Sequence, residues 1–199
     1  MNLLNKLTCA LFLVTAAAGS STGQELTIKP SPFSFLVGIA AELGGEEIAV
    51  THFTDGQTQS MPAGQGISLA LGGQYRIPQA EKFLLRGTIG YKYIGTMATD
   101  ANINLSRLPL IFSVNYMAAK KLRLSAGLTN HQIIRFNADG YGEDAKFKSA
   151  AGPILEIAYH GIGLTYTAMT YKDSQNLRYA ANSIGLTLSE TIGRKKAKS

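Results

Sequence analysis

Tryptophan is absent from the 199 residues, cysteine occurs once, and only 16% of the residues are charged, against roughly 25% in ordinary soluble proteins. The single cysteine, Cys9, lies ahead of most of an apolar run near the N-terminus, so it cannot be the acylated first residue of a mature lipoprotein. A mature chain without thiols forms no disulfide and no cysteine metal site, and its stability must come from backbone hydrogen bonds and packing. Beyond that first run no apolar window of about 18 residues occurs, which excludes a membrane-spanning helix. No phosphate-cradling glycine loop, His-Glu-x-x-His or Cys-x-x-Cys motif is present, so neither a cofactor nor a bound metal is expected.

What is present begins with Lys6, the apolar stretch Leu7 to Ala18 and the small residues Gly19-Ser20-Ser21-Thr22. A charge, a short apolar core and small residues at the exit make a secretory signal peptide, cleaved between Ala18 and Gln24. The expected division is therefore a signal at 1–23 and one domain at 24–199. The formal net charge of +6 is concentrated at the far end, where Arg194, Lys195, Lys196 and Lys198 form a basic tail. A tail without interleaved aromatics or a folded motif reads as solvated, so nucleic acid is not an expected partner.

From Phe33 onward the residues alternate with the period of a two-faced strand. Phe33, Phe35, Val37, Ile39, Ala41 and Leu43 interleave with Ser34, Leu36, Gly38, Ala40 and Glu42, and Gly44-Gly45 then shifts the phase as a bulge would, with Ile48 and Val50 continuing the apolar row. Similar runs follow around Ile67 to Ile77, Phe83 to Tyr93, Arg107 to Tyr116, Leu122 to Thr129, Phe147 to Tyr159, Ile162 to Tyr171 and Leu177 to Leu188. Short joins (Pro78 to Lys82, Ala118 to Lys121, His160-Gly161) alternate with longer polar ones (Thr54 to Gly64, Gly95 to Asn102, Phe136 to Lys146, Lys172 to Asn176). Eight such runs with alternating short and long connections predict an all-β protein, an eight-stranded antiparallel up-and-down transmembrane β-barrel.

Composition decides which face is outside. A water-facing exterior should be rich in Lys and Glu, as in a soluble lipocalin-like barrel. Here the polar face is mostly Gly, Ser, Thr, Ala and Asn, which suits the crowded lumen of a small barrel. The apolar face, with Leu69, Leu85, Leu110, Leu124 and Leu155, is then expected to meet lipid, and Tyr75, Tyr91, Tyr93, Tyr116, Tyr159 and Tyr171 to sit in the interfacial girdles. In architecture, from about Phe33 to Ile192, the chain resembles the small Gram-negative outer-membrane barrels of the OmpA/OmpX type. The resemblance implies the outer membrane as location, membrane lipid and lipopolysaccharide as surroundings, and a monomer. Where such barrels end on an aromatic residue, Ser183-Ile184-Gly185-Leu186-Thr187-Leu188 ends without one and Ser189 to Ser199 follow.

Three groups of residues are candidates for chemistry. Glu42, Arg76, Arg86, Lys92, Arg107, Arg123, Lys148 and Glu156 are the expected inward charges, and in a lumen with little water they read as an ion-pair and hydrogen-bond network that plugs the barrel. The network assigned is Glu42, Arg86, Lys92, Arg107, Arg123 and Glu156, and an ion path is its alternative reading. His52 and His131 fall near the outer strand ends, with Asp55, Ser60, Asp100, Ser106 and Asp139 in neighbouring loops, so a rim His/Ser/Asp set is weighed. Against it, no His-x-Ser pair with a nearby Glu occurs, and His131 leads into Gln132-Ile133-Ile134, so no enzyme and no catalytic residue is expected. The loop acids, including Asn137 to Asp144, lack the ligand spacing of a calcium loop and read as solvated. The expected function is a non-enzymatic barrel with a structural role or an unidentified ligand on its outer loops. The alternatives are a rim enzyme acting on lipid A or peptides, and a narrow channel.

Overall fold

Each alternating run becomes a pleated strand whose apolar row points away from the barrel axis. The computed structural model describes residues 31–52, 58–96 and 102–192. Within them the strands are β1 (Phe33–Leu43), β2 (Glu47–His52), β3 (Thr58–Pro62), β4 (Gly66–Arg76), β5 (Phe83–Gly95), β6 (Asn104–Met117), β7 (Leu122–Asn137), β8 (Ala145–Phe147), β9 (Ala150–Tyr159), β10 (Ile162–Thr167), β11 (Thr170–Lys172), β12 (Arg178–Ala180) and β13 (Ser183–Ile192). The expected signal at 1–23, the loop residues Asp55 and Asp100, and the basic tail lie outside the described residues.

Eight strands are hydrogen-bonded in the order β6-β5-β4-β1-β13-β10-β9-β7, and a β6–β7 pairing closes the ring. All neighbours are antiparallel. Stepping from Gly66 through its partners Glu42, Gly185, Thr165, Glu156, Ser125, Asn115 and Leu84 returns to β4 at Arg76, ten residues from the start. That stagger is the shear that tilts the strands and sets the barrel's width, and closure leaves no edge with unpaired backbone groups.

The exterior carries Phe35, Ile39, Leu43, Ile67, Leu69, Leu71, Ile89, Leu110, Phe112, Leu124, Leu128, Leu155, Ile157, Leu164, Leu186 and Leu188, all exposed. A continuous apolar surface of this extent is a lipid-facing surface. Phe33, Tyr75, Phe83, Tyr116 and Tyr159 ring the end with the short turns, and Tyr91, Tyr93 and Tyr166 stand toward the other end. Tyr171, expected in the girdle, is instead fully buried, because it lies on β11 above the barrel and turns inward.

Above the mouth the pattern inverts. Met61, Ala63, Ile103, Leu105, Ile134, Ala150, Met169, Tyr171 and Ala181 form a buried apolar core, with Ile48, Phe136, Phe147 and Tyr179 packed against it. The hairpin β2–β3, strand β8 and the hairpin β11–β12 thus build an apical cap with an ordinary inside-out arrangement for water: apolar within, polar without.

Three sequence expectations are corrected here. Gly44-Gly45 is not a bulge within one strand: both residues have positive φ (118° and 94°), where glycine is favoured, and they turn the chain out of the barrel into β2. The seventh run breaks after Thr167 into β10 and β11, and the eighth breaks before Ser183 into β12 and β13, since the outer halves belong to the cap. The last strand runs on to Ile192 rather than stopping at Leu188, because Leu36 and Phe35 of β1 pair with Thr191 and Ile192.

Candidate functional site: charged lumen and apical cap

The inward rows of eight strands meet on the axis, and small residues leave room there for a few long charged ones. A Cβ at Gly163 would come within 2.5 Å of both Glu156 Oε1 and Thr187 Oγ1, and one at Gly185 within 2.5 Å of Glu42 Cγ. Toward the short-turn end, Arg123 Nη2 donates to Glu156 Oε2 at 2.7 Å and Thr187 Oγ1 donates to Glu156 Oε1 at 2.7 Å. Ser125 Oγ lies 2.6 Å from Asn115 Oδ1 and 3.3 Å from Glu156 Oε2. Arg86 Nε donates to Gln74 Oε1 at 2.8 Å, and its Nη1 reaches Ser189 Oγ at 3.4 Å.

Nearer the cap, Lys92 Nζ pairs with Glu42 Oε2 at 2.6 Å and donates to the carbonyl of Gly64 at 2.6 Å. Ser183 Oγ donates to Glu42 Oε1 at 3.1 Å. Arg107 Nη2 donates to the carbonyl of Gln65. The backbone leading from β3 into β4 thus folds over the mouth and supplies acceptors to two buried cations. Arg107 is 1% exposed, and its Nε and Nη1 have no hydrogen-bond partner among the described residues.

Six of the eight inward charges expected from sequence therefore fall into two layers across the lumen. Two do not. Arg76 Nη1 donates to the carbonyl of Glu81 in a short turn, and Lys148 Nζ donates to Asn176 Oδ1 on the cap exterior. Arg76 is the last residue of β4 and Lys148 follows the end of β8, so each is free to turn its long side chain away from the axis.

Parity also fails once within a strand. In β7 the register slips against β6 between Ser106 and Leu108, and Ile133 has φ 50°. One extra residue reverses every side chain beyond it. A β-branched residue in the left-handed region is a strained outlier of the kind retained where it re-aims side chains. Here it sends Ile134 into the cap core and Arg135 outward. The only sequence sign of it is the consecutive pair Ile133-Ile134.

Arg135 thereby joins a basic surface on one flank of the cap. It stands opposite Lys146 across β7–β8, and Lys172 stands opposite Arg178 across β11–β12. The backbone N–H of Lys148 donates to the carbonyl of Lys172 at 2.8 Å, joining the two pairs into one sheet-like surface with all five cations exposed. Like charges directly opposite one another across strands are destabilising on their own.

The two histidines whose side chains are described lie at opposite ends of the barrel. His131 is buried beneath the cap, with Nδ1 2.5 Å from Tyr171 Oη, and His160 lies in the opposite, short-turn end against Tyr159. The side chain of His52 lies outside the described residues. Burial pushes the Tyr171 phenol up to about 12, so it keeps its proton and can donate to an unprotonated Nδ1. Tyr171→Phe should therefore leave a buried imidazole nitrogen unsatisfied and cost about 1–3 kcal/mol in urea unfolding of the micelle-folded protein. Three loop acids accept backbone hydrogen bonds: Asp139 from the N–H of Asn102 in another loop, Asp144 from that of Ala138, and Asp173 from those of Gln175 and Leu177.

No protein-family model matches this chain, and a search of curated proteins gave no match. Among solved structures, the chain is similar to Neisserial surface protein A, with 16% identity and a TM-score of 0.44 over 80% of this chain and 98% of that one. It is also similar to Ail, the attachment invasion locus protein of Yersinia pestis, with 11% identity and a TM-score of 0.42 over 79% of this chain and 97% of that one.

Proposed function

We propose that the protein is a non-enzymatic barrel of the Gram-negative outer membrane that presents its apical cap as an interaction surface, seated by its basic flank on the phosphates of lipopolysaccharide. The observation that carries this reading is the set Arg135, Lys146, Lys148, Lys172 and Arg178, exposed together on strand-paired backbone of the cap. Two directly opposed like-charge pairs persist at a cost that a bridging polyanion removes. Each Lys or Arg close to an anionic membrane surface contributes about 1 kcal/mol of attraction. At the hairpin tips Tyr141 and Leu177 are exposed, at 71% and 54%, and an exposed tyrosine on a rigid support suits contact with another molecule.

The test is binding of lipopolysaccharide by the refolded protein in phospholipid vesicles, with and without lipopolysaccharide in the outer leaflet. The quadruple variant Arg135→Gln, Lys146→Gln, Lys172→Gln, Arg178→Gln should fold, keep its heat-modifiable gel shift and lose lipopolysaccharide binding. Unchanged binding would sink the assigned contact. Lipid A mass profiles of expressing cells serve the enzymatic alternative, and a profile altered by the protein but restored by His131→Ala would establish it.

A further inference from the structure

The two charged layers of the lumen have the same composition. One holds Arg86, Arg123 and Glu156, and the other Lys92, Arg107 and Glu42, so among the described residues each layer has two cations and one carboxylate. Each carboxylate forms an ion pair with one cation, Arg123 or Lys92, and lies within electrostatic range of the layer's second cation, Arg86 or Arg107. Arg86 and Arg107 are left facing neutral acceptors: a glutamine and a serine for the first, one backbone carbonyl for the second. A lysine can lose its proton when buried, whereas an arginine stays charged. The positive excess in the lumen is therefore permanent, and an uncompensated charge away from water is costly.

Between the layers lies a cavity of about 120 Å³. Arg86 lines it together with hydroxyls, among them those of Ser68, Thr88 and Ser189, with apolar side chains, and with the carboxylate of Glu156, whose oxygens are already taken up by Arg123 and Thr187. Its outer rim adjoins the second layer, since Ser68 pairs with Lys92 and Lys92 with Arg107 across β4, β5 and β6. The cavity has room for several water-sized occupants. Its donors are hydroxyls and one guanidinium; Arg107 is not on its wall but in the adjoining second layer, where Nε and Nη1 have no acceptor among the described residues.

We propose that the lumen binds a small inorganic anion of the halide class in the chamber between its two charged layers. A monovalent ion matches the space and offsets one unit of the excess charge, while the hydroxyls complete its shell. The site is independent of the cap's basic flank: it is enclosed by the barrel and draws on none of those five residues.

The experiment compares urea unfolding of the refolded barrel in zwitterionic micelles, with chloride exchanged for gluconate at constant ionic strength. A ligand held by the folded state alone multiplies the folding constant by 1 + [L]/Kd, so a site with Kd of ~50 mM gives about a tenfold rise at ~500 mM chloride. Arg86→Gln and Arg107→Gln each remove a cation without orphaning a carboxylate, because Glu156 keeps Arg123 and Glu42 keeps Lys92. The two substitutions together should abolish the chloride response. Glu42→Gln, which raises the excess, should steepen it. Equal midpoints of the unsubstituted protein in chloride and gluconate would overturn the proposal. So would a full chloride response in the double variant, which would place the anion on the surface.

Discussion

Glu156→Ala should lower the unfolding free energy of the barrel by about 3–5 kcal/mol, the cost of stranding one partner of a buried ion pair. Glu156 accepts from Arg123 and Thr187, with Ser125 Oγ 3.3 Å away, and the side chains of Arg123 and Glu156 are only 8% and 14% exposed. Removing the carboxylate leaves two arginines in that layer with no anion. Water entering from the chamber reduces the loss, so the lower end of the range is expected where the lumen hydrates freely. Urea titration of the micelle-folded protein, followed by the gel shift of unboiled samples, measures the effect. Glu156→Gln keeps the hydrogen-bond acceptor and loses the charge, and a loss equal to that of alanine would assign the whole effect to charge. A loss under about 1 kcal/mol, the scale of an ordinary neutral hydrogen bond, would mean that the pair does not hold the lumen together.

The adjacent residue should respond for the opposite reason. Leu155→Arg places a charge on the lipid face, where Leu155 is 54% exposed, and should cost about 2–4 kcal/mol near the bilayer midplane. Ser68→Asn, on the cavity wall, adds a polar group next to open space and should fall within about 0.5 kcal/mol of the unsubstituted protein. Refolding yields into phospholipid vesicles, compared across the three proteins, would separate the two faces. If Leu155→Arg and Ser68→Asn behave alike, the exterior does not contact lipid.

Much of this architecture was legible in the residue order. Leu69, Leu110, Leu124 and Leu155 point outward, as the alternation implies, because a side-chain period of two is a local property of an extended chain. The short joins at Pro78 to Lys82, Ala118 to Lys121 and His160-Gly161 likewise connect neighbouring strands, since only adjacent antiparallel strands can be linked so briefly. The expected lumen charges Glu42, Arg86, Lys92, Arg107, Arg123 and Glu156 share the inward parity for the same local reason.

Other features stayed hidden because they depend on residues far apart in the chain. Tyr171 lies in what reads as a strand end with an apolar row, and only the packing of β11 over Leu105 and Ile134 turns it into the cap. Nor does parity say that Arg123 meets Glu156 while Arg86 meets Gln74, since the register of β7 against β9 and of β4 against β5 sets which inward residues come level. The bulge at Ile133 is likewise written in the pairing of β7 with β6 rather than in β7 alone.

Residue order alone was enough for the number of barrel strands, the two faces and the solvent each face prefers, because alternation and composition act through each residue's own transfer free energy. Folding in three dimensions settles which charges pair, which buried cations meet only neutral acceptors and where the apical core begins. Those outcomes depend on closure: pairing β1 with β13, the first and last strands, completes the ring and sets its shear, and in a lumen with little water the charges brought level across it decide whether one is stabilised or stranded.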